Sequence, residues 1–173
     1  MKEGVVGRIV GVDISAPAID DAKINAKLNG YDTDGDGKSS ATRFVADKAE
    51  NVLGHELNKA KTSSSDQKWN IVAVVDPARE GLHPDVVKSL RGFPQIQRIV
   101  YVSCNPTGSL VKDASLLCSP PTKRYRGRPF KPTFAQPVDM FPYSDHCELV
   151  MVFDRTNGDG EDNDDDDDDG KNE

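Results

Sequence analysis

A thiol on the rim of a β-sheet is available for attack, and the stretch "IVYVSCNPTGSL" (residues 99–110) offers one. Ile99 to Ser103 read as the end of a buried strand. Cys104, Asn105 and Pro106 then stop it, which leaves the sulfur at an edge that a packing cysteine would usually avoid. Three carboxylates occupy equivalent places: Asp13 after "RIVGV", Asp47 after "TRFVA" and Asp76 after "NIVAVV". Ligands of open α/β sheets sit beyond the carboxyl ends of the strands, so a thiol and three acids are expected on one rim. The chemistry open to such a set is nucleophilic attack by a thiolate, with a carboxylate moving a proton.

These side chains need strands to carry them. "RIVGVDIS" reads as a strand entering a helix: Val10 and Val12 are β-branched, Ser15 suits an N-cap, and Pro17 suits the first turn. Asp20 and Asp21 are expected near the positive helix end, Ile19, Ala22 and Ala26 share one face, and Gly30 stops the helix. "TRFVAD", "NIVAVVDPA" and "QRIVYVSC" read as three further strands, with a helix within "EGLHPDVVKSLRGF". "FKPTFAQPVDMF" and "CELVMVFDR" read as a closing antiparallel pair. The alternation predicts a doubly wound α/β fold, mostly parallel with an antiparallel C-terminal edge.

The chain of 173 residues has room for one domain. Its formal charge of −7 is unevenly spread. Residues 159–173 hold ten acids and one lysine, net −9, whereas residues 1–158 hold 21 basic and 19 acidic groups, net +2. A mildly basic domain over residues 1–155 with a disordered acidic tail over 156–173 is therefore expected. An odd set of cysteines (Cys104, Cys118, Cys147) fits no disulfide framework and suits a reducing compartment, cytoplasmic or nuclear. No segment approaches the roughly 18 apolar residues of a membrane span. "MKEGVVGRIV" is no signal peptide, and a monomer is expected.

"DTDGDGKSSATR" imitates a calcium loop at Asp32, Asp34, Asp36 and Gly37. Arg43 stands where the bidentate glutamate belongs, and Ser39 where an apolar residue is usual. A polar loop insertion over residues 31–41 explains the segment better than a metal site. His146 beside Cys147 has no four-ligand spacing either. "TKRYRGRPFKP" interleaves five cations between positions 123 and 131 with Tyr125 and Phe130, a pattern that could neutralise phosphates and stack an extruded base.

"GVDISAPAIDDAKINAKLNG", "VVDPAREGLHPDVV", "YVSCNPTGSLVKD" and "FPYSDHCELVMVFDR" occur in the order that marks the RNA uracil-5-methyltransferases, which the chain resembles over about residues 4–155. "DPAREGLH", "SCNP" and "HCE" in register carry the likeness. It implies a Rossmann-like class I methyltransferase, S-adenosylmethionine as cofactor, and RNA, most readily tRNA, as partner. It also implies Cys104 as nucleophile and Glu148 as general base. Asp13 would hold the cofactor's ribose hydroxyls and Asp76 would sit near the transferred methyl group. Asp47 would approach the adenine or serve only as a loop acid. Arg79 would pair with a carboxylate or face phosphate, while Cys118 and Cys147 match no functional position and are expected to pack.

The chemistry agrees with these assignments, because C5 of uracil becomes nucleophilic only after a thiolate adds at C6. The likeness also has gaps. It predicts a fold lacking the first strand and its glycine-rich loop, and hence a partial catalytic domain with unpaired sheet edges. "DPAR" lacks the second proline usual in the family, and "CNPTG" lacks the basic residue that often follows. A cysteine-dependent cytosine methylase, or a non-catalytic RNA- or protein-binding remnant, are the other readings left open.

Overall fold

The computed structural model describes residues 7–31, 42–62 and 70–156. The 31–41 insertion (all but Tyr31), most of the calcium-like segment and the acidic tail beyond Thr156 lie outside them. β1 (Ile9–Asp13) leads into α1 (Ala16–Leu28) through the expected cap: the Ser15 hydroxyl accepts from the Ala18 N–H at 3.4 Å and a proline occupies the first turn. Ile19 is buried, with Ala22 and Ala26 half-buried on the same face. Asp20 and Asp21 follow just beyond the first turn, and Asp20 pairs with Lys23 at 3.3 Å.

β2 (Thr42–Ala46) runs parallel to β1, with Ile9 opposite Thr42 and Asp13 opposite Ala46. α2 (Ala49–Thr62) is tied to this pair by one carboxylate. Glu56, 8% exposed, meets Arg8 at 3.0 Å, Lys59 at 3.3 Å and also Arg43.

The remaining strands form a second sheet: β3 (Ile71–Val75), β4 (Ile96–Ser103), β5 (Phe130–Val138) and β6 (Glu148–Arg155), in the spatial order β3-β4-β6-β5. β3 and β4 are parallel, and β6 is antiparallel to both β4 and β5. α3 (Pro84–Gly92) and α4 (Ser109–Cys118) cover one face of this sheet. There Val87, Leu90, Ile99, Tyr101, Leu117, Phe130 and Phe153 form the centre of the core.

The opposite face is apolar and poorly covered. Val74, Val100, Val152 and Phe134 make one cross-strand row in register, in which Val74 is 70% and Phe134 55% exposed. Below it, Arg98 clasps Asp154 at 2.6 and 3.0 Å.

The α/β class is as expected, but the strands fall into two sheets instead of one. Among the described residues neither β1 nor β3 is paired along its outer edge. The break lies at the position that the resemblance assigns to a further strand between them. A parallel strand cannot be bridged by a tight turn, so no neighbour in sequence closes the gap.

Two buried arginines finish the core. Arg91 donates from Nη1 to the carbonyls of Leu116, Leu117 and Ser119 and from Nη2 to that of Gly127, at 2.7–3.2 Å. Arg155 donates to the carbonyls of Ile96, Leu90, Phe93, Arg91 and Arg128 at 2.6–3.2 Å, its guanidinium 4.2 Å from the centre of the Phe130 ring. Both cations therefore sit at the negative C-terminal ends of α3 and α4. Gly127 belongs to this staple, since it has φ +84° and a Cβ there would lie 2.1 Å from the Arg91 carbonyl oxygen.

Candidate active site

β3, β4 and β6 bring their ends to one rim. Val75 of β3 is paired with Tyr101 of β4, so the next residues, Asp76 and Val102, share the following rung. Ser103 of β4 is paired with Leu149 of β6. Cys104 follows Ser103 just past the last paired rung, and Glu148, the first residue of β6, precedes Leu149 and is paired with Val138 of β5. Both residues therefore sit at the same end of the β4–β6 pair, whose uncovered face bears Val100 and Val152.

Within this rim Cys104 is a free, half-buried thiol. Glu148 is half-buried as well, and its Oε2 is shielded from solvent without a hydrogen-bond partner. A buried carboxylate oxygen lacking a donor is uncommon in a native fold and marks a place where one is wanted.

The loops that follow β3 and β4 are latched to each other. Asn105 Nδ2 donates to the Arg79 carbonyl at 3.1 Å, and the Asn105 N–H donates to the Ser103 hydroxyl at 3.1 Å. Beneath them Asp113 of α4, fully buried, accepts from the Leu82 N–H at 2.7 Å and the Tyr101 hydroxyl at 2.8 Å. Gly81 makes this close approach possible: at φ +89°, a Cβ would lie 2.5 Å from the Asp113 carboxylate. Burial, the hydrogen bond to Asp113 and the nearby charges of Asp113, Cys104 and Asp76 all hold the Tyr101 hydroxyl protonated well above its ordinary value. Asn105 and Asp113 are positioning residues that pattern reading missed. The asparagine beside the cysteine was a usable signal; the aspartate, set in an apolar helical run, was not.

Asp13 and Asp47 end the other sheet. Asp13 is exposed and its Oδ1 accepts the Ser15 N–H at 2.7 Å. Asp47 is a local cap for α2: its Oδ1 accepts from Asn51 Nδ2 at 2.9 Å and from the Lys48 N–H at 2.6 Å. These bonds, Asn51's foremost, pull its carboxyl below the ordinary range. The single rim expected from the sequence is thus divided between two sheets.

The cations at 123, 124, 126, 128 and 131 are exposed, but Tyr125 and Phe130 are 9% and 1% exposed and belong to the core. They cannot stack a base. Two exposed aromatics lie in the loop entering β6: Phe141 is 42% exposed and Tyr143 fully so. Tyr143 also holds φ +65°, a strained conformation for a side chain of its kind.

Burial pushes the Cys118 thiol up, more than Arg91 pulls it down, so a thiolate is disfavoured there. Among the described residues no group of three or more His, Cys, Asp or Glu could hold a metal ion. No described helix is long and apolar enough to cross a membrane.

Comparison with known proteins agrees with the motifs. A family model described as tRNA (Uracil-5-)-methyltransferase matches residues 4–156. The chain is 39% identical over 150 residues to tRNA (uracil-5-)-methyltransferase homolog B of Danio rerio, covering 86% of this chain and 28% of that protein. To homolog A of Homo sapiens it is 33% identical over 158 residues, covering 90% of this chain and 23% of the relative. The chain thus spans about a quarter of the length of these relatives. The crystal structure of the N-methyltransferase NodS from Bradyrhizobium japonicum WM9 aligns with a TM-score of 0.46 at 11% identity, over 86% of this chain and 74% of that one.

Proposed function

Because the chain belongs to the tRNA (uracil-5-)-methyltransferase family, we propose that the rim of β3, β4 and β6 performs the covalent chemistry of uracil C5 methylation in RNA, with tRNA as substrate. The observation that supports this most directly is the β4–β6 ladder, whose last rung, Ser103 with Leu149, leaves the neighbouring Cys104 and Glu148 at the same end of the sheet.

In this reading the Cys104 thiolate adds to C6 of the uracil, and the electron pair of the C5–C6 double bond moves toward C5 and the C4 carbonyl as an enolate. S-adenosylmethionine, when bound, supplies the electrophilic methyl group that C5 receives. Glu148 then takes the C5 proton, the double bond re-forms, and the Cys104 sulfur leaves as thiolate. Asp76 stands on the same rim. Its carboxylate, with that of Asp13, is the acceptor type that ribose hydroxyls and an ammonium group require, so these two residues would hold the cofactor. Asn105 and Asp113 keep the loops around Cys104 in place. Phe141 and Tyr143, in the loop that leads into β6, offer exposed rings on which an extruded base could stack.

Thiol addition alone makes C5 basic, so the first half of the reaction has its own readout. An oligouridylate in heavy water should exchange its C5 hydrogen for deuterium in the presence of residues 1–173, and Cys104→Ala should abolish the exchange. If the alanine variant exchanges as fast as the native chain, or if trapped RNA maps to Cys118 or Cys147, the assignment of the nucleophile fails.

A further inference from the structure

The segment from Thr122 to Lys131 is a stiff, strongly positive surface. Lys123, Arg124, Arg126, Arg128 and Lys131 are all exposed, and none forms an ion pair among the described residues; Lys131 lies near Asp154. Tyr125 and Phe130 anchor the segment in the core, the Thr122 hydroxyl accepts the Tyr125 N–H at 2.9 Å, and Arg91 and Arg155 hold the carbonyls of Gly127 and Arg128. Neither buried guanidinium has a carboxylate partner among its bonds. Burial, together with the charges of Arg128 and Arg91, pulls Arg155 down to about 10, as expected where positive potential is left uncompensated.

The described chain ends against this surface. The Thr156 N–H and hydroxyl both donate to the Pro129 carbonyl at 3.0 Å. Asp159, the first of the ten acids in residues 159–173, follows three positions later. At ~3.5 Å per residue it can lie no further than about 11 Å from Thr156. That is about one Debye length at 0.1 M salt, so the acidic run begins within the range over which exposed charges near Thr156 still interact.

We propose that the acidic segment of residues 159–169 docks in cis on the cationic surface of residues 123–131, and so competes with nucleic-acid phosphates for it. Docking rests on charge and on the place where Thr156 is held; only the competition rests on the RNA reading above. The segment acts as a tethered counter-anion. Weak phosphate contacts cannot displace it at low salt, and a ligand with several well-placed phosphates can.

Carbodiimide coupling of the full chain, followed by peptide mass spectrometry, tests the docking without RNA. The expected result is intrachain amides joining residues 159–169 to Lys123 or Lys131 at about 50 mM salt, lost at about 500 mM as screening removes the attraction. Links confined to Lys23, Lys27 or Lys112, or only between two copies, would overturn it. A second arm measures binding of an oligouridylate to the native chain and to one carrying Asp164→Asn through Asp169→Asn. Removing the competitor should tighten binding roughly tenfold at low salt, with the difference vanishing at high salt. Links to Lys123 or Lys131 with unchanged RNA affinity keep the docking and overturn the competition. Absent links with intact RNA binding overturn the docking and leave the RNA reading standing.

Discussion

At the scale of residues, the proposed mechanism puts Cys104 and Glu148 on opposite sides of methyl delivery, so their losses should look different. In an assay with methyl transfer, Glu148→Gln should accumulate a denaturant-resistant protein–RNA adduct on a gel, because the C5 proton has no acceptor, whereas Cys104→Ala should form none. Tyr143→Ala tests the exposed ring. Losing one base stack should weaken oligouridylate binding by roughly 5- to 100-fold, while Tyr125→Phe should leave it unchanged. Cys104 and Asp76 could be placed from sequence because a β-branched run followed by a polar residue marks a strand end. Asn105 was signalled only by its place beside the cysteine and Asp113 not at all, since what they hold is the backbone of a different loop, Arg79 and Leu82, more than 20 positions away. Tyr125 and Phe130 were misread as exposed rings for a related reason: interleaved aromatics look the same in a loop whether their rings point to solvent or anchor it.

At the scale of elements, α2 depends on one carboxylate. Burial alone would raise the Glu56 pKa, but the hydrogen bond from Lys59 and the charges of Arg43, Lys59 and Arg8 outweigh it, and the value falls below the ordinary 4.5. A lowered folded value stabilises the native state fully above that ordinary value. The contribution is lost as pH drops through the lower one. Glu56→Gln should therefore cost about 1–2 kcal/mol at neutral pH. In urea titrations, the gap between variant and native chain should close as pH falls below 4.5. The arginine staple is the stronger tie. Arg155→Met would strand five carbonyls and should cost about 3 kcal/mol or more, read as a lower denaturation midpoint. The strands and the first helix cap were legible because their signals are local. Arg91 and Arg155 were not, as a cation at a helix end or strand end ordinarily reads as a solvated charge.

At the scale of the whole molecule, the division of the described strands into two sheets had a partial signal in the motifs, yet which edges stay open is a property of pairing that no single segment carries. The free edge of β3 and the valine row beside it present unpaired backbone and apolar surface together. The chain should accordingly bind a hydrophobic dye and self-associate with rising concentration. Val74→Lys, placed on the exposed face, should reduce both without loss of secondary structure, as checked by light scattering and circular dichroism. The order of the strands has a temporal meaning too. β6 is the last described strand to be synthesised, yet it lies between β4 and β5. It also carries Arg155, whose bonds reach back as far as Leu90, 65 positions earlier. Until those final residues are made, β4 and β5 have no partner in common and the carbonyl ends of α3 remain uncapped. Closure is then a late, long-range step of high contact order. A nascent chain halted before Glu148 would carry Cys104, the proposed nucleophile, without β6 and the proposed base that begins it.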